Sequence, residues 1–331
     1  MEMQNPVELR LTNRGWGRLA DILVPAVLLV VLYYGLLFAF GDNAYYMRIV
    51  TFAGINIIMA VSLNLINGFT GQFSIGHAGF MGVGAYIAAV MTKFFGINFI
   101  VALVGGALGA ALAGLLVGLP TLRLKGDYLA IATLGFGEII RVIIINLDVV
   151  GGPRGLMGIM PYTTYFWTFF FTVLTVIVIA NFVNSTHGRA CISIRDDEIA
   201  AEAMGINTTR YKVLAFTIGA GFAGLAGGLF AHRLMIIHYS SFDFLNSVNY
   251  LLMIVIGGMG STTGSIIAAV FLTWLTEALR KAAELRMVIY SLLLIVIMLV
   301  RPQGLLGGKE LALRTLSGLD PTKLFERKGG K

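Results

Sequence analysis

The sequence predicts an all-α fold, a polytopic bundle of about ten membrane-spanning helices, and three observations support that class. Hydrophobic residues make up 57% of the 331 residues and charged residues only 12%, about half the ~25% found in soluble domains. The mean hydropathy is +0.85. The apolar residues come in blocks close to the ~20 residues that cross a hydrocarbon core of about 30 Å. A lipid bilayer is therefore the predicted solvent for most of the chain.

Apolar windows predict ten spans, of which the eighth and the tenth are short. Short spans can be broken or partly buried, because neighbouring protein can satisfy their backbone groups. The apolar run after the charged N-terminus is too long for a signal-peptide core, so we expect it to remain as the first span. The predicted spans lie near residues 22–40, 47–67, 76–92, 97–119, 127–147, 162–184, 213–235, 247–260, 263–280 and 287–300.

The basic residues predict the orientation of these spans. With a cytoplasmic N-terminus, ten crossings put most of the 24 lysines and arginines on the cytoplasmic side, as the positive-inside rule requires. If residues 247–260 dipped into the bilayer and returned, the basic tail would face outward. We therefore predict a cytoplasmic segment at 1–20, a transmembrane domain over 21–300 and a cytoplasmic tail at 301–331. The net charge of +7 then needs no nucleic-acid partner.

Small residues recur at every fourth position in two of the predicted spans. Lipid offers no hydrophobic drive for helix association, so such stripes favour close approach of helix backbones. A hinge lined by these helices is the alternative, because glycine leaves the backbone room to move. The stripes are Gly106, Ala110, Gly114 and Gly118, and Gly219, Ala223, Gly227 and Ala231.

The longest polar stretch between spans, residues 185–212, is about as long as a span but too charged to cross. Within it we predict a short extramembranous helix from Asp197 to Met204, because acidic residues favour a helix start and Gly205 favours its end. One face holds Ile199, Ala200, Ala203 and Met204, while Glu198, Ala201 and Glu202 point elsewhere. A small apolar face ringed by charge suits a groove on a soluble partner. A connector helix resting on the membrane surface is the alternative.

Two groups of polar residues are predicted in the fifth span. Glu138 and Arg141 are three residues apart and can meet on one side of the helix, either as a self-neutralising pair or as a gate. At the cytoplasmic edge, Asp127 is placed to cap the helix after a turn at Gly126, and Tyr128 follows. An inner-gate role for this edge is the alternative.

The segment between the second and third spans carries a candidate translocation path. Its glycines and hydrogen-bonding side chains predict a backbone that leaves helical form inside the protein, and broken helices in transporters expose backbone groups to zwitterionic substrates. Structural hydrogen bonding is the alternative. Asn56, Asn64 and Asn67 form a polar seam on the second span, facing either the pore or a partner. The candidate path residues are Gly71, Gln72, Ser74, His77 and Asn64.

Catalysis and metal binding are not predicted for this chain. The four histidines are scattered and the single cysteine permits no thiolate cluster. The spans hold no paired aspartates and no serine–histidine or zinc constellation with plausible spacing. No G-x-x-x-x-G-K-[ST] motif is present, since the nearest candidate, at Gly308 and Lys309, has Gln303 in place of its first glycine.

Five segments in order carry a family resemblance. They are NGFTGQFSIGHAGFMGVGAY from Asn67, LRLKGDYLAIATLGFGEIIR from Leu122, YKVLAFTIGAGFAGLAGGLFAH from Tyr211, RPQGLLG from Arg301, and the polar loop. Together they resemble the LivM-type permease subunits of branched-chain amino acid ABC importers over about residues 50–307. The loop is similar to the "EAA" loop by which such permeases engage their ATPase, with Ile199 at the position of the motif's glutamate. The implied coupling residues are Arg195, Asp196, Asp197, Glu198, Ile199, Ala200, Ala201, Glu202, Ala203, Met204 and Gly205.

The resemblance also implies an assembly in a bacterial inner membrane, with both termini cytoplasmic. It implies a second, related permease subunit, two cytoplasmic ATPase subunits that use the ATP, and an external binding protein that delivers substrate. No cofactor is then expected in this chain. A urea or amide permease shares the loop and the tail and is one alternative. An ion-coupled secondary transporter is the other, although Glu138 is the only clear acid at mid-span depth.

Overall fold

The computed structural model describes residues 43–121 and 126–282, together with 31, 33–41, 124, 289, 292, 295, 296, 299 and 304. The N-terminal segment, the basic tail, and most of the first and tenth predicted spans lie outside the described residues, as does the RPQGLLG motif apart from Gly304. The chain divides into two compact units, one of residues 1–48 and 311–331 and the other of residues 49–310. In the first unit, residues 33–40 are helical.

The described residues form α-helices joined by loops and by short 3₁₀ and π-helical turns, with one short pair of strands. The helices are α1 (Ala44–Asn64), α2 (His77–Lys93), α3 (Phe99–Thr121), α4 (Asp127–Asn146), α5 (Tyr165–Asn184), α6 (Thr186–Asp196), α7 (Glu198–Ala203), α8 (Thr208–Leu234), α9 (Phe244–Gly257) and α10 (Thr262–Ala278). A π-helical turn, Leu65–Phe69, extends α1. Strands β1 (Leu156–Met157) and β2 (Ile236–Ile237) pair antiparallel, with Leu156 opposite Ile237.

Eight of the ten predicted spans are helices in this part of the chain. Six stretches are long and apolar enough to cross a membrane, namely Ala44–Phe69, Phe99–Thr121, Asp127–Asn146, Tyr165–Asn184, Thr208–Leu234 and Tyr239–Gly257. Helices α2 and α10, with 17 residues each, match the third and ninth predictions. The eighth span is longer than predicted, because a 3₁₀ turn at Tyr239–Phe242 precedes α9 and Asp243 caps that helix through the backbone N–H of Asn246.

Helices α2, α3 and α8 pack closely through their small residues. A Cβ atom added at Gly106 would lie 2.6 Å from the carbonyl oxygen of Gly84. A Cβ atom on Gly84 would fall on the backbone of Gly224, and one on Gly227 would fall on the carbonyl of Met81. The prediction of tight helix packing is therefore confirmed.

The two ends of the bundle can be distinguished by their connections. At one end of the bundle, which we call the loop end, the chain passes from α5 to α8 through α6 and α7. At the other, the strand end, β1 precedes α5, β2 follows α8, and the two strands pair with each other. The 3₁₀ turn before α9 directly follows β2, whereas Gly260, just after α9, lies against Arg195 of α6. Helix α9 therefore runs from the strand end to the loop end. A segment that entered the bilayer and returned would begin and finish at the same end of the bundle. The course of α9 therefore agrees with the ten-span pattern.

Candidate translocation site and polar loop

The chain leaves helical form between α1 and α2, as the sequence predicts. Residues 70–76 are non-helical, and Gly71 has a φ of +71°, which glycine adopts readily. Asn67 acts as a backbone substitute in this break, because its Nδ2 donates to the Ser74 carbonyl at 3.1 Å and its Oδ1 accepts from the Ser74 N–H at 3.3 Å. The Gln72 N–H donates to the carbonyl of Ile66. The backbone of the break is thus held by the end of α1.

Several side chains in the break are buried without hydrogen-bond partners among the described residues. Gln72 is only 2% exposed, yet neither its Nε2 nor its Oε1 is bonded. The same is true of the Ser74 Oγ and the His77 Nδ1, although the His77 Nε2 lies 2.9 Å from the Ser62 Oγ. A buried unsatisfied polar group costs about 1–3 kcal/mol. Several within one short segment therefore call for polar partners, which ordered water or a polar solute can supply.

The start of α2 is wedged between α4 and α9. The Ile75 N–H donates to the Thr133 Oγ1 at 3.1 Å, and the Ala78 N–H donates to the Ser247 Oγ at 3.1 Å. The cavity beside this junction has a volume of only about 10 Å³ and includes Gly76 in its lining. That is room for about one water molecule, so this cavity admits no larger solute in this conformation.

The ionisable pair of α4 forms as predicted. The Arg141 Nε donates to the Glu138 Oε2 at 2.7 Å, with side-chain exposures of 30% and 35%. The Arg141 guanidinium also lies over the Tyr239 ring, 5.8 Å from its centroid, a cation–π contact that the sequence does not signal. The pair thus links α4 to the turn before α9.

The predicted cap at the start of α4 is wrong in detail. Gly126 occupies the cap position with a φ of +58°, and the structure has no side-chain cap there. Asp127 is the first helical residue, where its charge still favours the helix dipole. Tyr128 is 73% exposed. Because Gly126 takes the cap position, the helix already includes residue 127, and Asp127 does not occupy the position from which a side chain caps the helix.

Asn64 and Asn56 of the polar seam form hydrogen bonds with residues of this chain. The Asn64 Nδ2 donates to the Ser261 carbonyl at 3.0 Å, and its Oδ1 accepts from the Gly260 N–H at 2.9 Å. The Asn56 Nδ2 donates to the Thr273 Oγ1 of α10. The seam therefore joins the second span to α10 and to the break that precedes it.

The polar loop contains two helices where the sequence predicts one. The predicted helix from Asp197 is present as α7, and the Asp197 Oδ1 accepts from the N–H groups of Ile199 and Ala200 at 2.9 and 3.0 Å. Arg195 and Asp196 belong instead to α6, which the sequence analysis missed. The residue in the sequence that could have indicated the start of α6 is Ser185, whose hydroxyl caps that helix.

Helix α7 turns its apolar face outward. Ile199 is 75% exposed and Met204 83% exposed, and Ala200 and Ala203 are also exposed while Ala201 is buried. The remaining side chains anchor the helix to α8, through Lys212 Nζ to Glu198 Oε1 at 2.7 Å and Thr208 Oγ1 to Glu202 Oε1 at 2.7 Å. The predicted division of faces is therefore present, and Gly205 follows with a φ of +84°.

Helix α6 rests on the π-helical turn of α1. The Arg195 Nη1 donates to the carbonyl of Gly68 at 3.2 Å. Cys191 is buried in a cluster with Leu65 and Phe69 of that turn. Burial raises the pKa of the Cys191 thiol to about 11, against the opposing effect of a hydrogen bond with Thr70. No pattern in the sequence predicts this contact between the polar loop and α1.

A bundle of membrane-crossing helices with a buried polar break and an extramembranous helix defines a polytopic membrane permease. Residues 45–300 match the family described as branched-chain amino acid transport system permease component, and the chain belongs to that family. It is a permease component of an ABC transport system for branched-chain amino acids rather than an enzyme.

Individual relatives agree with this membership. The high-affinity branched-chain amino acid transport system permease proteins LivM of Salmonella typhimurium strain LT2 and of Escherichia coli K12 are each 37% identical over 305 residues, covering 82% of this chain and 72% of theirs. The permease protein LivH of Escherichia coli K12 is 35% identical over 143 residues, covering 42% of this chain and 46% of its own. No solved structure matches the chain. The family favours branched-chain amino acids over the urea permease and the ion-coupled carrier.

Proposed function

We propose that this chain forms one half of the pore of an ATP-driven importer, with a second, related permease as the other half. Similarity to both LivM and LivH permeases supports a pair of related subunits. Two ATPase subunits on the cytoplasmic side supply the ATP hydrolysis, since this sequence lacks a phosphate-binding loop. An external binding protein delivers the substrate at the strand end.

The observation that carries the proposal is the outward apolar face of α7. Ile199 and Met204 project from a helix whose Glu198 and Glu202 are engaged with α8, so the apolar side chains are the ones presented for contact. Methionine is enriched at protein interfaces. A small helical apolar face fits a groove on a folded partner. The implied coupling role of residues 195–205 is therefore centred on these two side chains.

The rim of α7 favours a protein partner over the membrane surface. Asp196 and Asp197 are exposed beside the apolar face. Cytoplasmic leaflets carry negative charge that attracts basic segments and repels acidic ones. A connector helix lying on lipid would therefore meet repulsion where an ATPase groove can supply basic side chains.

The substrate path that we propose passes the break between α1 and α2. A branched-chain amino acid carries an ammonium and a carboxylate, and the Gln72 amide offers a donor and an acceptor that are both unpaired among the described residues. The Ser74 hydroxyl and His77 lie in the same segment. Broken helices at membrane depth serve zwitterionic solutes in this way. The Glu138–Arg141 pair, which links α4 to the turn before α9, is the proposed gate.

A cysteine-protection experiment tests the coupling role. In a Cys191→Ala background, Ile199→Cys and Met204→Cys are labelled with a maleimide in detergent, with and without the ATPase subunits. We expect the ATPases to slow labelling at both positions by about tenfold or more, because a docked interface core excludes solvent. Met160→Cys, 57% exposed and close to the strand end, is the control and should label equally in both samples.

Equal labelling at positions 199 and 204 with and without the ATPases contradicts the docking role. Protection of both positions by lipid nanodiscs without ATPases supports the connector helix on the membrane surface instead. The native Cys191 is buried with a raised pKa, so its thiolate fraction at neutral pH is low. It should therefore contribute little background even where it is retained.

A further inference from the structure

Arg195 connects the polar loop to the transmembrane part of the chain. It lies in the last turn of α6, two residues before the cap of α7. Its Nε and Nη2 donate to the Asp196 Oδ1 at 3.0 and 2.8 Å, and its Nη1 donates to the Gly68 carbonyl at 3.2 Å. One guanidinium thus holds an acid of the loop and a backbone group of the π-helical turn together.

The same side chain lies against two of the breaks between helices at the loop end. A Cβ atom added at Gly71 would lie 3.0 Å from the Arg195 Cγ, and one at Gly260 would lie 2.9 Å from its Nη1. Gly71 belongs to the break between α1 and α2, and Gly260 to the break between α9 and α10. Asn64, the last residue of α1, bonds the second of these breaks through Gly260 and Ser261. Arg195 is therefore the point at which the loop reaches both.

The elements that meet at Arg195 are suited to change conformation. A π-helical turn inside an α-helix is rare and occurs frequently at functional sites. Gly71 and Gly260 have φ angles of +71° and +82°, which only glycine adopts with ease. The missing side chain of Gly71 leaves space for the Arg195 Cγ, and that of Gly260 leaves space for the Arg195 guanidinium. A shift of α6 and α7 would be delivered directly to backbone that has other accessible conformations.

We propose that Arg195 is a positioning residue that transmits movement of α7 to the two helix breaks, with the Gly68 carbonyl as the point of transfer. The inference rests on the proposed function, because it requires an ATPase to move α7. The rigid fork of an arginine can bond Asp196 and Gly68 at once, whereas a lysine offers a single point charge. Lysine should therefore replace it only in part.

The test uses the complete transporter in proteoliposomes and measures uptake and ATP hydrolysis separately. For Arg195→Ala we expect uptake to fall about tenfold, within the range of ordinary coupling between sites, and to fall further than ATP hydrolysis does. The ATP used per amino acid imported then rises. Arg195→Lys should restore uptake in part. Arg189→Ala removes an equal charge from an exposed position on α6 and should behave as wild type.

Three results overturn the inference. One is an unchanged ratio of ATP to substrate in Arg195→Ala, and another is an equal rise in Arg189→Ala. The third is a parallel loss of hydrolysis and uptake with a lower melting temperature and no recovery in Arg195→Lys, which would mark a structural role. Failure of the wild-type complex to import with ATP overturns the proposed function itself, and this inference with it.

Discussion

At the residue scale, Gln72 combines deep burial with an amide that has no partner among the described residues. The sequence could nominate Gln72, Ser74 and His77, because hydrogen-bonding residues among glycines predict a broken helix. It could not predict which of them would be paired. Pairing depends on Asn67, which bonds the backbone of Ser74 and leaves its hydroxyl unbonded.

Replacing Gln72 with leucine should separate transport from stability. Gln72→Leu removes an amide that has no protein partner, so we expect unchanged or higher thermal stability. Uptake should fall about tenfold if the amide contacts substrate, since a lost bond to a charged group is worth about 1.5–3 kcal/mol. Uptake at matched expression and the melting temperature in detergent are the two measurements.

Asn67→Leu is the matched control for that substitution. It removes two hydrogen bonds to Ser74 and leaves buried backbone groups unsatisfied, at a cost of about 1–3 kcal/mol for each group. We expect a lower melting temperature for this variant. Wild-type uptake by Gln72→Leu would remove Gln72 from the path, and a marked loss of stability would give it a structural role.

At the element scale, the helix α7 was predictable and the helix α6 was not. Asp197 and Gly205 are strong local signals for the ends of α7, and both act as predicted. Helix α6 is short and polar on average, and its burial comes from Cys191 and Ile194 packing in the folded chain. Local pattern alone does not contain that contact. The start of α4 shows the same limit, since the φ of +58° at Gly126 overrides the capping preference of Asp127.

The packing of α2 against α8 gives a prediction for two glycines. Gly227→Ala would place a methyl group on the carbonyl of Met81, where backbone has to shift, so we expect a loss of at least about 1–3 kcal/mol of stability. Gly135→Ala in α4 meets nothing within 4 Å and should be tolerated. Melting temperatures of the two purified variants, with expression levels, provide the comparison. Equal stability of both would contradict the close packing described for α2 and α8.

At the scale of the whole molecule, composition predicted the class and most of the spans. Membrane helices of about 20 residues are marked by length and apolarity, so eight predicted spans match helices in the described part. The arrangement of those helices was not predictable, because close packing through glycine depends on which backbones meet. The stripe of small residues on α8 predicts that another helix packs closely, but it does not predict that the contact is with Met81 of α2.

The orientation that we propose from the distribution of basic residues can be tested with reporter fusions. A reporter active only in the cytoplasm should be active when fused after residue 331, because ten crossings return the basic tail to the side of the N-terminus. A fusion between β1 and α5, in residues 158–164, should be inactive. Activity of a reporter that works only outside the cytoplasm at residue 331 would contradict the proposed topology.

The measurement that tests the central claim most directly is uptake of leucine, isoleucine and valine into proteoliposomes that contain the complete transporter and internal ATP. The account predicts uptake that requires the external binding protein and internal ATP, persists with an uncoupler, and is lost when the ATPase subunits are omitted. Uptake that is driven by an ion gradient, needs no ATP and is abolished by the uncoupler would contradict it.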